Sequence, residues 1–117
     1  MNEFERKEKE IEISIHEAEA TVQEAKDIKD LIANPLFHKV ITEGYLTSNA
    51  LRTVGLLADP SMQDVESQEG LQADLQAISY LQKYLRDKIT RGKQMEAKME
   101  ESEAVLEELR EAEVAGE

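Results

Sequence analysis

Residues 34–60 read NPLFHKVITEGYLTSNALRTVGLLADP, and this stretch decides the fold. It holds both prolines of the chain and is flanked by long, charged, helix-favouring arms. Asn34-Pro35 is a helix start. An Asn side chain accepts an orphan backbone N–H, and a proline at the first helical position gives up an N–H that has no partner there. Pro35 also disfavours helical geometry at Asn34, so an incoming helix should end near Ala33. Leu36, Phe37, Val40 and Ile41 then share one face of a short helix. Gly44 is placed to take the left-handed position that closes it. Thr47 or Ser48 can cap a second short helix with Leu51, Val54 and Leu57 on one side. Asp59-Pro60 ends that helix. The expected result is two short helices packed on each other at a tip, held by Phe37, Val40, Ile41, Leu51, Val54 and Leu57.

Working outward, residues 2–33 form an amphipathic arm. Ile11, Ile15, Ala18, Val22, Ala25 and Ile32 recur at heptad spacing, and Phe4 extends the seam weakly. The second arm begins near Pro60 or Ser61 and runs to about Ala112. Leu71, Leu75, Ile78, Leu85, Ile89 and Met99 follow a 4-3 pattern, with Leu81, Met95, Leu106 and Leu109 widening or continuing it. Gly70 and Gly92 are its weak points, each costing about 1 kcal/mol against Ala inside a helix. Gly70 is also a candidate break between a helix over 61–69 and a longer one. The acidic tail, 113–117, is expected to fray.

The chain has 117 residues, 40% hydrophobic and 34% charged, with two Phe, three Tyr, no Trp and no Cys. That is one domain by length, residues 1–117. Its apolar residues, mostly Leu, Ile, Val and Ala, suit narrow helix–helix seams. The fold class expected is all-α: a long antiparallel helical hairpin of coiled-coil type, with two short helices at the connecting tip. The net charge of −12 disfavours nucleic acid and anionic membrane as partners, because phosphate contacts need Lys and Arg. No apolar run approaches the ~18 residues of a membrane span, and the N-terminus lacks the apolar core of a signal peptide. A cytoplasmic site of synthesis is expected. The charge is uneven: residues 34–58 carry Glu43 against Lys39 and Arg52, and are the only stretch that is not acidic.

Site chemistry is sparse. Without Cys there is no thiol nucleophile. His16 and His38 stand on different elements, and His16-Glu17-Ala18-Glu19-Ala20 offers no second ligand for HExxH-type zinc binding. Carboxylate pairs such as Glu96–Glu100 and Glu103–Glu107 are expected by chance in so acidic a chain. No Glu-x-x-His of the di-iron pattern and no Gly-rich phosphate loop occurs. The expectation is therefore a protein that is not an enzyme, with no cofactor and no metal. The polar set His38, Lys39, Tyr45 and Arg52 at the tip is a candidate cation site for an anionic ligand or partner. The plainer expectation is that Lys39 and Arg52 pair with Glu43 and the acidic arms while Tyr45 packs as a lid.

Asn34-Pro35, Phe37, the Glu43-Gly44-Tyr45 turn, the Leu56-Leu57-Ala58-Asp59-Pro60 exit and the Ile78…Leu81…Tyr84 run resemble small, mostly uncharacterised helical proteins encoded by tailed bacteriophages. The likeness covers roughly residues 34–85 and is a signature of packing and turns that carries no catalytic residue. It implies a phage origin, with location in the host cytoplasm or the virion, and a role in virion assembly or in dealing with the host cell.

Two function classes follow. The first is a structural or assembly protein acting by helix-mediated self-association and docking, with other phage structural proteins as partners. The second is a small acidic effector that blocks a host protein or sequesters a small ligand. Unequal arm lengths point to a homo-oligomer: about thirty residues cannot cover about fifty, leaving Met95, Met99, Leu106 and Leu109 to be buried by another copy. The candidate interaction residues are thus His38, Lys39, Tyr45 and Arg52 at the tip, and Met95, Met99, Leu106 and Leu109 on the long arm.

Overall fold

A computed structural model describes residues 2–116. Four α-helices follow in order: α1 (Glu3–Ala33), α2 (Pro35–Phe37), α3 (Ala50–Leu57) and α4 (Val65–Ala115). A π-helical segment, His38–Asn49, joins α2 to α3, and a 3₁₀ turn, Pro60–Met62, precedes α4. No strand occurs among the described residues. The chain is the all-helical hairpin expected from its two heptad arms, with one shorter helical stretch in the connecting segment where two short helices packed on each other were expected. It divides into two compact units, residues 1–27 with 88–117 and residues 28–87.

In the first unit, residues 3–27 of α1 pair antiparallel with residues 88–115 of α4. Arg110 Nε donates to Glu8 Oε1 at 2.6 Å and its Nη2 to Glu12 Oε1 at 3.0 Å, while Lys88 Nζ lies 2.6 Å from Glu24 Oε1. The seam is narrow. Ala18 and Ala25 are its buried positions on α1, Gly92 and Leu106 those on α4, and Ile11, Ile15, Val22, Ile89, Met95, Met99 and Leu109 are half-buried. The heptad positions are those the sequence predicts. Gly92 is not a weak point but a fitted one: a Cβ there would overlap the Ala25 methyl. Small side chains at both places let the backbones approach closely.

The second unit holds residues 28–33, the connecting segment and residues 65–87 of α4. Leu71, Ile78 and Leu85 are buried on α4. Asn34 caps as predicted, its Oδ1 accepting from the N–H of Leu36 at 2.9 Å and of Phe37 at 3.3 Å. Asp59 Oδ1 accepts from the Ser61 N–H at 2.8 Å and hydroxyl at 2.7 Å. Gln68 Nε2 donates to the carbonyls of Met62 at 2.8 Å and Leu57 at 3.1 Å, tying the turn to the start of α4.

Three expectations are corrected. Gly44 takes no left-handed conformation, since no described glycine has positive φ, and neither Thr47 nor Ser48 caps α3, whose N-cap position is Asn49. Residues 35–57 are helical throughout. The wider π turn is matched by side chains five apart: His38 Nε2 lies 3.1 Å from Glu43 Oε1, and Thr47 Oγ1 donates to the Thr42 carbonyl at 2.9 Å. Second, α4 passes through Gly70 without a break. The interruption falls before Val65, where Asp64 Oδ2 accepts from the Ser67 N–H at 2.9 Å. Third, α4 runs to Ala115, beyond the expected end near Ala112; Glu117, the last residue of the expected tail, lies outside the described residues.

Candidate functional site

Helix 35–57 carries more apolar side chains than one buried face can take. Its inward positions are Phe37, Ile41, Leu46, Ala50, Thr53 and Leu57. Thr53, only 2% exposed, is the most buried of them, and its Oγ1 donates to the Asn49 carbonyl at 2.7 Å. That bond satisfies the hydroxyl and lets a polar residue sit at a core position. Leu36 and Leu51, both 69% exposed, and Val40 and Val54, both 53% exposed, lie outside it. Three of the side chains expected in one short core, Val40, Leu51 and Val54, therefore face solvent, and Leu36 joins them on the same helix. Elsewhere in the same unit Val65 and Tyr80 are also exposed.

The reason is one of phase. Leu51-Val54-Leu57 reads as a stripe of period three, but Leu46-Ala50-Thr53-Leu57 is the 4-3-4 stripe that a packed helix uses. Thr53 hides that stripe from a search for apolar residues. The spacing was the signal that could have found it.

The polar residues on this helix are arranged differently from the plainer expectation. Glu43 is taken by His38. Arg52 Nη2 donates to Asn49 Oδ1 at 2.9 Å, an uncharged acceptor three residues back. Among the described residues Lys39 makes no ion pair and Arg52 meets no carboxylate. Lys39 and Arg52 are exposed on the helix that exposes Leu36, Val40, Leu51 and Val54, and Tyr45 is half-buried. The structure thus brings His38, Lys39, Tyr45 and Arg52 onto one helix. A π-helical stretch is rare, and such stretches occur often at functional sites.

The four residues singled out on the long arm belong to the other unit. Leu106 is 7% exposed and Met95, Met99 and Leu109 are half-buried. The expectation that this stripe stays wet is corrected. The arithmetic of arm lengths left the wrong end of α4 over: residues 3–27 of α1 run along its acidic C-terminal half, and residues 65–87 fall in the unit of the connecting segment. Leu109 borders a small cleft with Glu3, Phe4 and Lys7, and Met99 a shallow groove with His16, Glu19, Ala20, Val22 and Gln23.

Hydrogen bonds from Ser61 hold the Asp59 carboxyl below the ordinary Asp range, and those from Ser67 do the same for Asp64. Lys83 lowers Asp87, with its Nζ 2.6 Å from Oδ2. Glu8, and then Glu12, raise Arg110. Among the described residues no three His, Asp or Glu side chains are grouped to hold a metal ion, and no helix is long and apolar enough to cross a membrane. No protein-family model, curated protein or solved structure matches the chain.

Proposed function

We propose that the chain is a non-enzymatic, phage-encoded assembly protein that works by self-association through helix faces and by docking in the virion. The observation that carries this reading is the solvent exposure of Leu36, Val40, Leu51 and Val54 on helix 35–57. Leaving four large aliphatic side chains wet is unfavourable. Each contributes roughly 1.5–3 kcal/mol when fully buried, so covering this face in a complex supplies a driving force. The unpaired Lys39 and Arg52 beside it add charge that selects the partner. The phage origin rests on the likeness of residues 34–85 to small phage helical proteins. The association element is the connecting helix rather than the Met95, Met99, Leu106 and Leu109 stripe of the acidic arm, whose Leu106 is already covered within the chain.

Mass spectrometry of purified particles of the encoding phage tests the reading. The protein should be present at a fixed stoichiometry to the major structural proteins. Absence from particles, together with early expression, contradicts the virion role and favours a host-directed acidic effector.

A further inference from the structure

The charges on and around the 35–57 face select what covers it in the proposed self-association. The helix carries Lys39 and Arg52 against Glu43, and Glu43 is engaged by His38. Pairing two copies of it antiparallel, so that Leu36 and Val40 meet Leu51 and Val54, sets Lys39 beside Arg52 of the second copy. Pairing them parallel sets Lys39 against Lys39 and Arg52 against Arg52. Either symmetric arrangement places unpaired cations together as water is removed, which is unfavourable.

The complementary surface lies elsewhere on the same chain. Residues 96–115 of α4 hold eight acids against Lys98 and Arg110. Among the described residues none of those eight acids is in an ion pair. On this stretch Val105 is 47% exposed, with exposed Glu101 four residues before it and exposed Glu108 three after. These spacings put an apolar side chain between two carboxylates on one helix face. That pattern answers an apolar helix edged by cations.

We infer that the 35–57 face of one copy docks on the Glu101–Val105–Glu108 face of α4 in a second copy, a head-to-tail contact between unlike surfaces. Each copy then has one donor face and one acceptor face, so the contact propagates into rings or filaments instead of stopping at a symmetric dimer. The inference rests on the proposed self-association and adds its mode. Opposite charges draw the surfaces together, so salt weakens the contact.

Mixing two full-length variants tests it. One carries Lys39→Glu with Arg52→Glu; the other carries Glu101→Lys with Glu108→Lys. All four positions are exposed, and far-UV circular dichroism checks that each variant is folded. Lys39→Gln with Arg52→Gln and Glu101→Gln with Glu108→Gln form a milder set for the same comparison. In light scattering at low salt the wild type should exceed the mass of one chain, and each variant alone should be monomeric. Their equimolar mixture should assemble again beyond the mass of one chain, because each face of one variant is opposite in charge to the matching face of the other. Wild-type affinity should fall at least tenfold on going to high salt. A mixture that stays monomeric, or variants that keep the wild-type mass, overturns the head-to-tail contact while leaving self-association standing. A wild type that is monomeric at every concentration overturns both.

Discussion

Gly92 on α4 stands where a Cβ would overlap the methyl of Ala25 on α1, with the Thr21 carbonyl also close. The two residues set how near the long helices approach in the first unit. Gly92→Ala should therefore destabilise the protein by about 1–3 kcal/mol, the usual cost of overpacking. Gly70, on the same helix, has nothing within contact distance of an added Cβ. Gly70→Ala should stabilise by about 0.4–1 kcal/mol by restricting the unfolded chain. Urea melts of the two variants would read opposite shifts. Equal shifts would show that the close approach at Ala25 is absent.

The buried hydroxyl of Thr53 should matter more than its polarity suggests. Thr53→Val keeps the shape and removes the hydrogen bond to the Asn49 carbonyl, so a loss of about 0.5–1.5 kcal/mol is expected in chemical denaturation. A neutral outcome would place Thr53 outside the core of its unit.

Phe37 is half-buried, so Phe37→Ala should cost less than the ~3–5 kcal/mol of a fully buried ring. Leu51→Ala, on the exposed face, should leave the monomer's melting curve nearly in place. A Leu51 effect exceeding that of Phe37 in dilute protein would reverse the assignment of the two faces.

Acid should loosen the turn before α4. Asp59 and Asp64 titrate below the ordinary Asp range because Ser61 and Ser67 hydrogen-bond their ionised forms. Their stabilising contribution is complete above the unfolded Asp value near pH 4 and is lost as pH falls through the lower folded values. Thermal melts from neutral pH downward should show a decline in that window that Asp64→Asn with Asp59→Asn reduces. Equal acid sensitivity in the double variant would remove these caps from the account.

The seam of the long helices was legible because heptad spacing survives any detail of packing. Ile11, Ile15, Ala18, Val22 and Ala25 on one arm, and Leu85, Ile89, Met99 and Leu106 on the other, take their read positions. Asn34-Pro35 and Asp59-Pro60 were legible too, since cap chemistry is local. Gly92 was misjudged because propensity sees only the helix it belongs to, whereas its role is set by Ala25 across the seam. The connecting helix was misread for two reasons. Gly44 permits a left-handed turn but does not require one, and side-chain pairs five apart, His38 with Glu43 and Thr47 with Thr42, close π turns instead. The stripe that packs runs through Thr53, which a reading of apolar residues alone passes over. The proposed interaction surface was legible in part: Lys39 and Arg52 stood out by charge, whereas Val40, Leu51 and Val54 were assigned to the inside.

Sedimentation velocity on the wild-type chain and on Leu51→Asp with Val54→Asp, across one concentration series, puts the proposed association surface to its most direct test. Both side chains face solvent, so the variant should keep the wild-type helical spectrum. The account predicts a wild type whose sedimentation coefficient rises with concentration and a variant that sediments as one chain throughout. A folded variant that assembles as the wild type does would contradict it.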